Sequence, residues 1–191
     1  MDIKTNMIVD AKGLACPMPI VKTKKAMNEL EPGLVMEVQA TDKGSKADIK
    51  AWAESTGHQY IGTIEEDGIL KHYLRKSSGE DKAETKHPNV ISNEDLQAKL
   101  ANDSSIVLLD VREPAEYAFK HIPGARPFPL EEFEGRATEL NPEDIIYVVC
   151  RTGNRSDLVA QKLAQKGFKN VINVVPGMSK WTGETVQGVK K

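Results

Sequence analysis

The stretch Asp144-Ile145-Ile146-Tyr147-Val148-Val149-Cys150-Arg151-Thr152-Gly153-Asn154-Arg155-Ser156 decides the reading of this chain. Its apolar half is strand-like, residues 157–166 have a helical pattern, and a cysteine opens the tight loop between them. Such a loop turns successive backbone N–H groups inward at a helix N-terminus, where they stabilise an anion such as a thiolate, a persulfide or an oxyanion. Cys150 is therefore expected to be a nucleophile, since the thiolate is the reactive form and its surroundings set how much is present. The competing reading, a buried structural thiol acting as a small hydrophobe, does not call for two arginines and a glycine around it.

Outward from this loop, strands alternate with helices. Ser92 reads as an N-cap with Asp95 at N3 and a helix running to about residue 100. Residues 105–110 form a short continuous apolar run, as expected of a strand buried on both faces. Helical signals follow at 114–119 and 130–140, then the strand before Cys150, the helix after it, and a strand over 171–175. The alternation predicts a parallel, doubly wound α/β domain with ligands at the carboxyl ends of the strands, where Cys150 falls.

The first part of the chain has a different order. Strand-like runs over 4–10, 34–41, 58–65 and 69–75 and helices over 17–30 and 45–55 give β-α-β-α-β-β, with Glu66-Asp67-Gly68 as a hairpin turn. This predicts a two-layer α/β sandwich, one mixed sheet with its two helices able to cover a single face. Residues 76–88, Lys-Ser-Ser-Gly-Glu-Asp-Lys-Ala-Glu-Thr-Lys-His-Pro, hold almost nothing to bury and read as an interdomain linker. The expected domains are 1–75 and 89–191. Cys16 stands in Gly13-Leu14-Ala15-Cys16-Pro17-Met18-Pro19 ahead of the first helix. Pro17 at the first helical position places Cys16 at or next to the N-cap, where the helix dipole favours a thiolate. The two prolines remove N–H donors, so this site should hold a negative sulfur less tightly than the loop after Cys150. Lys22, Lys24 and Lys25 either collar Cys16 or line a solvated helix face.

At 191 residues, 39% apolar and 28% charged, the chain has the composition of a soluble globular protein. With 26 Lys and Arg against 28 Asp and Glu there is no general electrostatic case for nucleic acid or an anionic membrane. The Met1-Asp2-Ile3-Lys4 start lacks a leader pattern and no apolar run is long enough to span a bilayer, so a cytoplasmic location is expected. The two cysteines, Cys16 and Cys150, are too few for a disulfide framework or a Cys/His zinc site, and no cofactor is implied. His58, His72 and His87 show no ligand spacing, and Trp52 and Trp181 read as packing residues.

Both halves resemble known families. Residues 5–75 resemble the TusA (SirA-like) sulfur carriers through Cys16-Pro17-Met18-Pro19 preceded by Gly13-Leu14. Residues 88–190 resemble a single-domain rhodanese through Asp110-Val111-Arg112-Glu113-Pro114, His121-Ile122-Pro123-Gly124-Ala125 and the loop from Cys150 to Ser156. Lys120 and Pro176-Gly177-Met178 depart from the usual rhodanese pattern, and both positions bear on the pocket rim rather than on the nucleophile. The resemblance implies covalent sulfur transfer, in which Cys150 takes a sulfane sulfur from thiosulfate or a glutathione-type persulfide and hands it on. The recipient would be an acceptor thiol or a sulfur-carrier protein. Arg151, Thr152, Gly153, Asn154, Arg155 and Ser156 would bind the substrate or persulfide, with Arg151 and Arg155 steering an anionic donor.

Asp110, Arg112 and Glu113 read as structural, and His121 as a turn anchor rather than a base. Related folds that cleave phosphate esters enclose five residues between Cys and Arg, whereas Cys150 and Arg155 enclose four, a smaller cradle that argues against phosphatase activity. A linker of about 12 residues spans roughly 20 Å, enough for a relay from Cys150 to Cys16. The rival expectations are a non-catalytic persulfide carrier that docks onto a cysteine desulfurase and tRNA-thiolation or cofactor-assembly proteins, and a sulfide-responsive regulator.

Overall fold

The computed structural model describes residues 2–82 and 84–188, with no side chain described for Glu80. Met1, Ala83 of the predicted linker and residues 189–191 of the predicted second domain lie outside the described residues. The chain divides into two compact units, one over Asp2–Gly79 and one that begins at Glu80.

The first unit runs β1 (Met7–Ala11), α1 (Met18–Glu29), β2 (Val35–Ala40), α2 (Ser45–Thr56), β3 (Gln59–Glu66) and β4 (Ile69–Arg75). Its sheet has the order β1-β2-β4-β3, with β1 parallel to β2 and the other pairs antiparallel. Both helices pack on one face. Ala26 and Met27 of α1 and Ile49 and Ala53 of α2 close on Val9, Met36, Val38 and Leu74 from three strands. The β3–β4 turn places Asp67 and Gly68 at φ of 52° and 77°, the two left-handed positions of the tight hairpin turn that an Asp-Gly pair tolerates.

A one-directional chain of hydrogen bonds crosses this core. Ser45 Oγ donates to the Asp42 carbonyl at 2.6 Å, so it accepts from His72 Nε2 at 2.9 Å. His72 Nδ1 is then an acceptor for the Thr63 hydroxyl at 2.7 Å, and Thr63 accepts from the Tyr60 hydroxyl. The chain requires one neutral tautomer of His72 and ties α2 to β3 and β4. His72 and His58 are thus structural, as expected, His58 Nδ1 accepting from Ser77 N at 3.1 Å.

The second unit runs β5 (Val90–Ser92), α3 (Asn93–Asn102), β6 (Val107–Asp110), α4 (Pro114–Phe119), β7 (Arg126–Pro127), α5 (Phe133–Arg136), β8 (Ile145–Val149), α6 (Asn154–Gln165) and β9 (Asn170–Val175). The sheet is wholly parallel in the order β5-β9-β8-β6-β7. Alternation along β8 explains why its sequence is continuously apolar. Ile146 and Val148 meet Phe133, Val159 and Leu163 on one face, while Tyr147 and Val149 meet Leu96, Tyr117 and Trp181 on the other. Two apolar layers around a parallel sheet make the doubly wound arrangement. The predicted helix over 130–140 is instead α5 between 3-10 turns at Leu130–Glu132 and Ala137–Glu139, with Phe133, Ala137 and Leu140 buried in the core. Ser92 caps α3 by accepting from Asp95 N at 3.1 Å, as its spacing predicts.

Both ends of the predicted linker are tied down. Lys76 N donates to Leu34 O at 2.9 Å in the first unit, and Lys86 N and His87 N donate to the Asp157 carboxylate at 3.0 and 2.8 Å in the second. Residues 79–82 make one 3-10 turn. The picture of some 12 free residues is therefore corrected, because exposed polar backbone here finds specific carboxylate and carbonyl partners.

Burial, and to a lesser extent Lys46, pull the His72 pKa down to about 4. An unfolded imidazole titrates near ~6.5, so unfolding takes up a proton between these values and stability is lost as pH falls from ~6.5 toward 4. His58, lowered by burial and Lys76, acts in the same direction. The unfolding free energy of the first unit, measured by urea denaturation, should fall across this window with a slope of up to about 1.4 kcal/mol per pH unit for His72, and His72→Gln should flatten the profile.

Candidate functional site

Cys150 follows the last residue of β8, the middle strand of five, and the loop from Arg151 to Gly153 leads into α6. It is fully buried at 0% exposure. Gly153 adopts φ of 90°, a left-handed turn that aims its own N–H at Cys150 Sγ, 3.2 Å away. Ser156 Oγ is also 3.2 Å from Sγ but only 2.6 Å from Asn173 Oδ1. A hydroxyl has one proton, so Ser156 serves either Asn173 or the sulfur at one time. Asn173 in turn donates to Gly153 O at 3.0 Å, locking the turn to β9. The first N–H groups of α6 have no intrahelical partner and face the same end of the helix.

A second segment braces the loop. Met178 N donates to Cys150 O and Ser179 N to Arg151 O, both at 2.8 Å. Just before them Gly177, at φ of 97°, has no room for a side chain, since a Cβ there would lie 2.4 Å from Cys150 O. Asn93 fixes Gly177 from both sides, accepting from its N–H at 3.1 Å and donating to its carbonyl at 2.9 Å. The Pro176-Gly177-Met178 departure thus bears on the backbone brace of the loop.

The steering role expected of Arg155 does not survive. Its guanidinium, 2% exposed, pairs bidentately with Glu116 at 2.7 and 2.9 Å. Burial lowers its pKa, but Glu116 and then the Cys150 sulfur outweigh that and hold it above the ordinary arginine value. Arg155 is a fixed cation beside the thiol rather than a hand extended to a donor. Arg151 is half-buried and forms no ion pair among the described residues, Thr152 is exposed, and Asn154 donates to Asp81 O at 2.7 Å.

The remaining motif residues hold the scaffold. Arg112 pairs with Asp110 at 2.6 Å and reaches Lys120 O at 2.7 Å. His121 Nδ1 lies 2.7 Å from Tyr117 O and its ring stacks on Tyr117 at 3.7 Å, which makes it an anchor. A concavity of about 920 Å³ lies at the amino-terminal ends of β6 and β8, lined by Lys99, Val107 and Ile145, and Cys150 is not among its lining residues.

In the first unit Pro17 itself is the N-cap of α1, with Cys16 one residue outside and exposed. The expectation that the helix end favours its thiolate is overturned. Its thiol donates to Asp48 Oδ2 at 3.3 Å. That hydrogen bond, slight desolvation and the charges of Asp48 and Asp42 raise the pKa above that of an ordinary thiol. Lys22 turns away to donate to Asp10 O at 2.8 Å, and Lys24 and Lys25 lie on an exposed helix face, so no lysine collar forms.

Comparison with known proteins places these two cysteine sites. Residues 7–76 match the family model "Sulfurtransferase TusA", and residues 92–184 match "Rhodanese-like domain". A Bacillus subtilis protein named "Putative sulfur carrier protein YrkF" is 52% identical over 183 residues, spanning 96% of this chain and 99% of its own. The chain belongs to the TusA–rhodanese fusion family. "Sulfur carrier protein TusA" of Allochromatium vinosum is 42% identical over 36% of this chain and 91% of its own. A rhodanese-like domain protein from Staphylococcus aureus is 30% identical over 54% of this chain and 99% of its own, with a TM-score of 0.49. Both domains of this TusA–rhodanese chain therefore come from families of sulfur transfer. Among the described residues no helix is long and apolar enough to cross a membrane.

Glu116→Ala should leave the Arg155 charge buried without its carboxylate and destabilise the rhodanese unit by about 3–5 kcal/mol. Chemical denaturation checks this, with the thermal midpoint of that unit falling in parallel.

Proposed function

We infer that the chain is a sulfurtransferase in which Cys150 is loaded from a small sulfane donor and Cys16 receives the sulfur for delivery to an acceptor. The observation that carries this reading is the contrast between the two thiols. Cys150 sits against the Gly153 N–H and within the field of a buried arginine, whereas Cys16 sits against carboxylates. An attacking Cys150 thiolate would take the outer sulfur of thiosulfate, the S–S bond of the donor breaking and sulfite leaving with the bonding pair. The persulfide anion so formed is what the loop's N–H groups, with the Gly153, Asn154 and Ser156 positions of the predicted binding set, are suited to stabilise. Arg151 and Thr152, at the accessible part of the loop, meet the donor.

In the second step the Cys150 persulfide anion takes up a proton from solvent, and Cys16 attacks its outer sulfur. The Cys16 proton passes to Asp48, a new S–S bond forms on Cys16, and Cys150 leaves as a thiolate that its donors stabilise. No electrons are gained or lost overall, since the sulfane atom moves between two thiols. A reducing, cytoplasmic setting keeps both thiols free for this cycle. A glutathione-type persulfide would load Cys150 by the same exchange, with glutathione thiolate as the leaving group.

A second reading is favoured by the surface beside Cys16, where Met18 and Val21 are exposed at 44% and 49%. There the chain would be mainly a persulfide carrier, loaded by a protein such as a cysteine desulfurase and unloaded onto tRNA-thiolation or cofactor-assembly proteins. Turnover with thiosulfate and cyanide, followed as thiocyanate, separates the two, because a pure carrier turns over negligibly.

Intact-mass analysis after exposure to thiosulfate tests the order of transfer. The unmodified chain should gain sulfur on both cysteines and Cys16→Ser should retain it on Cys150. Cys150→Ser should leave Cys16 unloaded, and loading of Cys16 in that variant at the unmodified rate would sink the order.

A further inference from the structure

We propose that Asp42 and Asp48 act as an anion filter that makes Cys16 a selective sulfur acceptor, closed to small anionic donors and open to uncharged or protein-borne sulfur. The inference rests on the reading of Cys16 as the receiving thiol and adds what decides its donor.

The geometry is convergent. Asp48, from the first turns of α2, accepts the Cys16 thiol proton at 3.3 Å. Asp42 comes from the loop before that helix, and Gly44 lies beneath both carboxylates. A Cβ at Gly44 would stand 3.2 Å from Asp42 Oδ2 and 3.9 Å from Asp48 Oδ2. Two negative groups therefore gather at one helix end next to an exposed sulfur.

Among the described residues neither carboxylate is held in an ion pair, and Lys43 and Lys46, which lie between them in sequence, are exposed and form none. The start of α1 offers no cradle of donors, because Pro17 and Pro19 have no N–H and the Met18 N–H is bonded to Ala15 O at 2.9 Å. Lys22, on α1, donates to the Asp10 carbonyl, and Lys12, just after β1, lies 3.9 Å from the Asp10 carboxylate. The Asp48 hydrogen bond first, then slight desolvation and the charges of Asp48 and Asp42, hold the Cys16 pKa up.

An approaching anion meets this repulsion before it meets the sulfur. At about 4 Å in water, repulsion between two unit charges is worth roughly a fivefold change in rate, and salt screens it. Thiosulfate carries two charges and is disfavoured more than a neutral reagent. A persulfide presented on a protein brings its own N–H donors and escapes the filter. Cys16 thus stays protonated and unspent among small anionic electrophiles, and receives sulfur where a partner site supplies it.

Alkylation of the full-length chain with neutral iodoacetamide and anionic iodoacetate, read by mass spectrometry of the peptide holding Cys16, tests the filter. At low salt the neutral-to-anionic rate ratio at Cys16 should exceed that of N-acetylcysteine by about fivefold, and 1 M salt should remove most of the excess. Asp42→Asn with Asp48→Asn should abolish it. A ratio equal to that of N-acetylcysteine, or an excess that survives either salt or the double substitution, overturns the proposal. The salt series needs no substitution, so the test stands even if the variant folds poorly. Alkylation does not require sulfur to pass between the cysteines, so failure here is distinct from failure of the relay.

Discussion

The buried pair between Arg155 and Glu116 is the interaction around which the second unit's chemistry is arranged. It joins the first turn of α6 to α4 and thereby fixes the end of the Cys150 loop. Glu116 Oε2 also accepts from the backbone N–H of Glu113 at 2.9 Å, so one carboxylate caps its own helix and neutralises a cation from another. Two charges out of water are tolerable only with such complete pairing, and the same completeness makes the pair a rigid reference for the loop. Its arginine charge is then available to the Cys150 sulfur as a field, without the guanidinium having to move.

The loop needs a brace on its other side as well. Cys150 and Arg151 donate no structure of their own; their carbonyls are held by Met178 and Ser179, and the crossing is close enough that position 177 must be glycine. Asn173 and Asn93 then secure the turn and the brace to the body of the unit. The sulfur therefore sits against the Gly153 N–H, a backbone group that keeps its polarity whatever the state of the sulfur. Ser156 is the adjustable member, since its single proton can face Asn173 or the sulfur.

Much of this was legible from the chain alone, for local reasons. The Ser92 cap, the Asp67-Gly68 turn and the continuously apolar β8 each write their structure into neighbouring residues, and the position of Cys150 at a strand end follows from them. What escaped was set by residues distant in sequence. Glu116 lies 39 positions from Arg155, and only its place at the third position of α4 hinted at a role, that of a capping acid. Asp48 lies 32 positions from Cys16 and has no local signal, so the helix-end argument predicted a stabilised thiolate where the fold supplies carboxylates. Helix dipoles are worth a fraction of a unit charge, and two formal charges beside the sulfur outweigh one.

That reversal changes why sulfur should move toward Cys16. The expectation from the proline-flanked motif was a site that releases sulfur readily, yet a thiol whose pKa is raised is a poor leaving group once its persulfide is attacked. The same property makes its thiolate, when formed, a stronger nucleophile than a low-pKa one, at the cost of being scarce near neutral pH. Asp48 addresses the scarcity because it already holds the proton that must leave. In the relay proposed above, direction follows from asymmetry at both ends. The donor thiolate would depart toward the Gly153 N–H, and the acceptor, once loaded, would give up its sulfur only to an attacker that can reach past the Asp48 carboxylate.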